Sequence, residues 1–221
     1  MASSSGAATA NGESHAVEGT ERRDFLKMVT LATAAVGVCA VAWPFIDSMN
    51  PAKDTIAAGS PVDIDLSQVE PGQQIIILWR EKPILVVNRP AEALKTLQSS
   101  AMIGRLSDPN SKVLQQPDYA ENWHRSIKPE WSVLVGICTH LGCLPGYFPN
   151  PSANTPVADW PGGYLCPCHG SKYDLAGRVW KSVPAPYNLP VPPYNFVDAK
   201  TVRIGENPPN VTYSLNDIVQ I

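Results

Sequence analysis

Cys138-Thr139-His140-Leu141-Gly142-Cys143 and Cys166-Pro167-Cys168-His169-Gly170-Ser171 are two short segments on which the reading of the whole chain turns. Together they hold four of the five cysteines and two of the four histidines. A Cys-x-His turn and a Cys-x-x-His turn supply two thiolates and two imidazoles. That set suits a tetrahedral zinc ion. It equally suits a two-iron cluster with two cysteines on one iron and two histidines on the other. Cys143 and Cys168 are left over, each close in sequence to a candidate ligand.

Outward from the two boxes the pattern is one of strands. Ser132 to Ile137 is an apolar run that delivers Cys138. After the second box, residues 171–174 and 178–180 read as paired short strands around Ala176-Gly177. Further upstream, Val62-Asp63-Ile64-Asp65-Leu66 alternates apolar and polar, as a half-buried strand does. Residues 75–79 and 84–87 are β-branched runs that read as a core hairpin. Pro90 to Leu97 has helix formers behind a tolerated first proline. Residues 98–130 are polar and broken by prolines, and read as an insertion with little regular structure. His124 within it reads as structural. Downstream, residues 194–197, 201–204 and 211–215 read as closing strands. The 22 prolines and 15 glycines fit a loop-rich, strand-rich body. The predicted fold class is all-β, an antiparallel β-sandwich head over 62–221 with a small inserted subdomain at about 137–188.

The two boxes resemble the cluster-binding boxes of Rieske iron–sulfur proteins, specifically the iron–sulfur subunit of the cytochrome bc1 complex, bacterial type. The resemblance implies a Rieske-type head and one [2Fe-2S] cluster. It implies Cys138 and Cys166 on the buried iron, His140 and His169 on the outer iron, and a disulfide between Cys143 and Cys168. Such a disulfide calls for an oxidising compartment. Two neutral imidazoles in place of two thiolates make a cluster less negative and raise its potential. By the same resemblance Ser171 and Tyr173 donate hydrogen bonds to the sulfurs, Leu141 is an apolar lid, and Pro184 belongs to a proline-rich cover, Val183-Pro184-Ala185-Pro186. That cover normally opens on glycine; Val183 departs from the pattern. The implied activity is quinol oxidation, with His169 and His140 at the catalytic end and the proton taken by a ligand histidine. The implied partners are cytochrome b, cytochrome c1 and ubiquinol, in a dimeric complex.

Upstream of the head, residues 1–21 are small and polar and read as a disordered cytoplasmic tail, with His15 inert. Arg22-Arg23-Asp24-Phe25-Leu26-Lys27 resembles a twin-arginine export signal. Met28 to Ile46 follows without a charge. As a helix it spans roughly 28 Å, close to the ~30 Å hydrocarbon core. The predicted anchor is 22–46. The flanking Arg22, Arg23 and Lys27 place the N-terminus in the cytoplasm and the head in the periplasm, on the inner membrane. Ala40-Val41-Ala42 has the form of a signal-peptidase site, so cleavage is the competing reading. Residues 47–61 read as a flexible tether. In the resembling family this is the hinge on which the head shuttles, assigned here to Ala57, Ala58 and Gly59.

Formal net charge is −3, from 17 basic and 20 acidic residues. No basic field points to nucleic acid. An oxygenase would need a second iron held by two histidines and a carboxylate, and no histidine follows His169. A small subunit of another periplasmic oxidoreductase shares export signal and cluster, but not the tether or the approach to the first box.

Overall fold

The computed structural model describes residues 14–52, 59–150 and 157–220. The chain divides into two compact units, Met1–Lys53 and Asp54–Ile221. The first is one helix, α1 (Ser14–Asp47). Residues 14–21, expected to be unstructured, are therefore helical. No proline interrupts that stretch, so nothing stops the anchor helix from extending back through it. The His15 side chain lies outside the described residues. Glu21–Asp47 is long and apolar enough to cross a membrane, with a mean hydropathy of 2.0 and no part of that window buried. At 1.5 Å per residue it spans about 40 Å. Pro44 lies inside α1 rather than ending it, and the Ser48 N–H still donates to the Pro44 carbonyl at 2.9 Å.

In the second unit the described residues form three antiparallel sheets of three strands each. The first joins β1 (Val62–Asp65), β9 (Thr201–Ile204) and β8 (Tyr194–Phe196), in that order. The second joins β2 (Gln74–Trp79), β3 (Lys82–Asn88) and β4 (Trp131–Val135). The third joins β5 (Gly146–Phe148), β6 (Gly163–Leu165) and β7 (Lys172–Tyr173), and lies wholly between the two boxes and just past the second. Ile64, Val202 and Ile204 from the first sheet share one core with Ile84, Val86, Val133 and Val135 from the second and Tyr164 and Tyr173 from the third. Strand β3 is central in its sheet, and Ile84 to Val87 are wholly buried. That is why its sequence is a continuous apolar run rather than an alternating one.

The hairpin between β2 and β3 turns on Arg80 and Glu81, both at positive φ (50° and 61°). Two such residues make the tight turn whose twist matches the strands. The usual Asn-Gly signal is missing, and the turn was legible only from the β-branched runs on either side of it. α2 (Ala91–Gln98) packs Ala93 and Leu97 against Leu175 and Ala176, in a second, smaller core.

Residues 98–130 are not the loose insertion that their composition implied. They hold α3 (Ser100–Arg105) and a single 3-10 turn at Asp118–Ala120, and they bury Ser111, Gln115, Gln116, His124, Arg125 and Ser126. Their order comes from side chains rather than ladders. Gln116 Nε2 donates to the Ser111 carbonyl at 2.7 Å and Asn122 Nδ2 to the Ser126 carbonyl at 2.9 Å. Arg89 Nε donates to the Pro129 carbonyl at 2.9 Å, Nη1 to the His124 carbonyl at 2.8 Å and Nη2 to Ser126 Oγ at 2.7 Å.

Residues 211–215, read as a closing strand, form none. Pro208 and Pro209 precede them and have no N–H to donate. The segment is held instead by Tyr213 Oη, which donates to the Val191 carbonyl at 2.9 Å, and by Asn207 Nδ2, which donates to the Tyr213 carbonyl at 2.8 Å.

Candidate metal centre

The two boxes fold into loops of the same construction. The Cys138 carbonyl accepts from the Gly142 N–H at 2.9 Å, and the Cys138 N–H donates to the Cys143 carbonyl at 2.9 Å. The Cys166 carbonyl accepts from the Gly170 N–H at 3.0 Å, and the Cys166 N–H donates to the Ser171 carbonyl at 2.8 Å. Each loop closes four residues after its first cysteine on a glycine at positive φ, 83° at Gly142 and 74° at Gly170. A side chain there would be strained. Strand β4 runs into the first loop, and β6 and β7 flank the second.

Cys143 and Cys168 form a disulfide that ties one loop to the other. Cys138 and Cys166 are unpaired thiols and are buried. Burial pushes the Cys166 thiol up, and the neighbouring Cys138 sulfur acts in the same direction. The backbone N–H groups of Cys168 and His169 face that sulfur and pull the other way, as donors to a thiolate do. The His140 and His169 rings stand 4.7 Å apart between centroids, at 87° to one another. His169 is exposed, and His140 is half-buried with its Nδ1 enclosed and without a partner.

This donor set fits a two-iron cluster. Two thiols lie inward and two imidazoles lie at the rim, one with a ring nitrogen that nothing else engages. The Cys166 sulfur also lies within 4.8 Å of both disulfide sulfurs. That proximity is not a ligand set, because a disulfide offers no thiolate.

Hydroxyl groups close the site from behind. Tyr173 Oη is 3.3 Å from Cys138 Sγ and 3.3 Å from the Thr139 N–H, which donates to it. Thr139 Oγ1 donates to the Tyr187 carbonyl at 2.8 Å and also lies 3.3 Å from Tyr173 Oη. Thr139 Oγ1 thus spends its own hydrogen on that carbonyl. Ser171 Oγ accepts from the Ala185 N–H at 3.0 Å, which pins the proline-rich cover to the second loop and leaves the serine hydrogen free. Tyr173 and Ser171 are both wholly buried.

Residues 106–194 match the family model described as "Rieske [2Fe-2S] domain". Residues 12–52 match the one described as "Ubiquitinol-cytochrome C reductase Fe-S subunit TAT signal". The ubiquinol-cytochrome c reductase iron–sulfur subunit of Blastochloris viridis is 50% identical over 188 residues, covering 83% of this chain and 92% of that one. The subunit of the same name from Allochromatium vinosum is 48% identical over 186 residues, covering 84% and 89%. The chain belongs to this family. It is a Rieske iron–sulfur subunit, its head carries the [2Fe-2S] domain, and its N-terminal segment carries the twin-arginine signal.

Within this subunit, the structure sets Cys138 beside Cys166 and His140 beside His169, in the two loops that the disulfide joins. Leu141 follows His140 and is 70% exposed. Pro184 is exposed, while Val183, where a glycine was expected, packs half-buried against the core. The positive φ in that cover falls one residue earlier, at Ser182 (58°). Of the hinge residues, Ala57 and Ala58 lie outside the described residues. Gly59 and Ser60 are held to the head, since their carbonyls accept from Arg80 Nε at 3.4 Å and Trp79 Nε1 at 3.1 Å. Thr139 and Tyr187 were not singled out from the sequence. A hydroxyl between two candidate ligands was the one signal available, and its direction is set by a carbonyl 48 residues away.

Proposed function

We propose that this head collects single electrons from ubiquinol and delivers them to a c-type haem, between cytochrome b and cytochrome c1 of a dimeric bc1-type complex. When bound, a [2Fe-2S] cluster with two histidine ligands supplies reversible one-electron chemistry at a raised potential. Cys138 and Cys166 would hold one iron, and His140 and His169 the other. The exposed ring nitrogen of His169 accepts a hydrogen bond from the quinol hydroxyl and holds its proton. Leu141 presents an apolar surface beside the histidines and keeps water from that contact. Tyr173 and Ser171 direct their hydroxyl hydrogens at the sulfurs, which favours the electron once it has arrived.

The observation that carries this reading is the polarity of the site. Cys138 and Cys166 are buried, while His169 and Leu141 stand at the surface where a quinol can reach them. α1 anchors the subunit in the inner membrane. Arg22, Arg23 and Lys27 keep its start in the cytoplasm, and the disulfide suits a periplasmic head. The tether around Ala57-Ala58 lets the head travel between donor and acceptor. Proline at both Ala57 and Ala58 should lower quinol:cytochrome c turnover several-fold in the purified complex, with an unchanged EPR spectrum. Unaltered turnover in that variant would count against a travelling head.

A further inference from the structure

Arg89, Arg125 and Arg178 are buried at 2%, 0% and 1% exposure, and Asp174 is the one carboxylate among the buried residues described. A guanidinium in the interior is costly unless its donors are met. Arg125 Nε is buried without a partner, but donors of all three arginines converge on a single turn, Asp174 to Gly177. Arg178 Nε donates to Asp174 Oδ2 at 2.7 Å, while Asp174 Oδ1 accepts from the N–H groups of Arg178 and Ala176 at 2.8 and 2.9 Å. Arg89 Nη1 reaches the Leu175 carbonyl at 3.4 Å. Arg125 Nη1 reaches the carbonyls of Ala176 and Gly177 at 3.1 and 3.4 Å. Three successive carbonyls of one turn thus each face a guanidinium.

The arginines are fixed at their other donors by distant parts of the chain. Arg89 holds the carbonyls of His124 and Pro129 and the Ser126 hydroxyl. Arg125 Nη2 donates to Gln116 Oε1 at 2.9 Å, and Arg178 Nη2 to the Leu97 carbonyl at 2.7 Å. The clamped turn directly follows Tyr173, whose hydroxyl lies on the Cys138 sulfur. Tyr173 ends β7, a strand of two residues. So short a ladder does little to fix a hydroxyl at the far end of a ring, and a hydrogen bond weakens steeply when its angle opens.

We propose that Arg89, Arg125 and Arg178 are positioning residues for the Tyr173–Cys138 hydrogen bond. By clamping the Asp174–Gly177 turn they hold the tyrosine hydroxyl on the sulfur and so set the potential of the site. This rests on Cys138 being a cluster ligand. It accounts for why the 98–130 segment is packed so tightly without strands: that segment is the far wall of the clamp.

The test is a double-mutant cycle on the full-length, cluster-loaded protein, read as the midpoint potential. Tyr173→Phe should lower the potential. Arg125→Gln should lower it in the same direction, and should add nothing in the Tyr173→Phe background. An equal drop in both backgrounds would overturn the clamp in favour of a direct field from the guanidinium charge. An unchanged potential in Arg125→Gln beside a lowered one in Tyr173→Phe would reduce the arginine to a stabilising role. An unchanged potential in Tyr173→Phe would sink the sulfur hydrogen bond and the proposal with it. Should Arg125→Gln fail to fold, Gln116→Met removes one acceptor from Arg125 and keeps its charge. It should lower the potential in the parent and add nothing in the Tyr173→Phe background. An unchanged potential in the parent, or an equal drop in both backgrounds, would overturn the clamp.

Discussion

His124 shows how much of the head's chemistry is set by single buried side chains. Its Nδ1 lies 2.8 Å from Ser126 Oγ, and its own carbonyl accepts from Arg89. Burial lowers its pKa to about 4, the Arg89 guanidinium acts in the same direction, and Glu130 opposes weakly. A histidine depressed in the folded state binds its proton more readily once unfolded. Stability is therefore intact above the ordinary value of about 6.5 and is lost as pH falls toward about 4. The melting temperature should drop across that window, and His124→Gln should flatten the drop. An equally steep drop in the variant would assign it to other groups. The sequence showed the histidine and hinted at a structural role, but not its depth. The same holds for Arg89, Arg125 and Arg178. An arginine read from sequence looks like a surface arginine, because its partners are carbonyls tens of residues away. The four candidate ligands were legible for the opposite reason: their chemistry depends on local spacing within each box.

At the scale of elements, the two loops are short and closed by glycines, and the disulfide joins them across 25 residues. A crosslink of that span restricts the unfolded chain by about 3.5 kcal/mol. Cys143→Ser with Cys168→Ser should lower the melting temperature of the protein by several degrees and speed loss of the cluster on dilution. A variant that melts as the parent does would mean that the metal alone ties the loops. The regular strands β1 to β4 and β9 followed from their apolar patterns, because alternation and β-branched runs map directly onto ladders. The 98–130 segment did not, since Gln, Asn and Arg side chains replace the ladder there. Nor did residues 211–215, where the apolar pattern was present but two prolines and a tyrosine hydroxyl decided the path.

At the scale of the whole molecule, the described residues hold one helix able to cross a membrane, in the first of two units, and a β head in the second. The division of labour was readable in the sequence, from a charge-free run and two cysteine–histidine boxes. The start of the anchor helix was not, because nothing in composition distinguishes a helical polar tail from an unstructured one. The head's proposed design follows from a single requirement: the Cys138 and Cys166 sulfurs kept dry, His169 at the surface, and the two loops held together by a disulfide. Low-temperature EPR of the reduced full-length protein, with parallel assays for iron, zinc and inorganic sulfide, tests that requirement most directly. The expected result is a rhombic signal whose average g lies well below that of an all-cysteine cluster, with two irons and two sulfides per chain. Zinc in place of iron, or a spectrum of the all-cysteine kind, would contradict it.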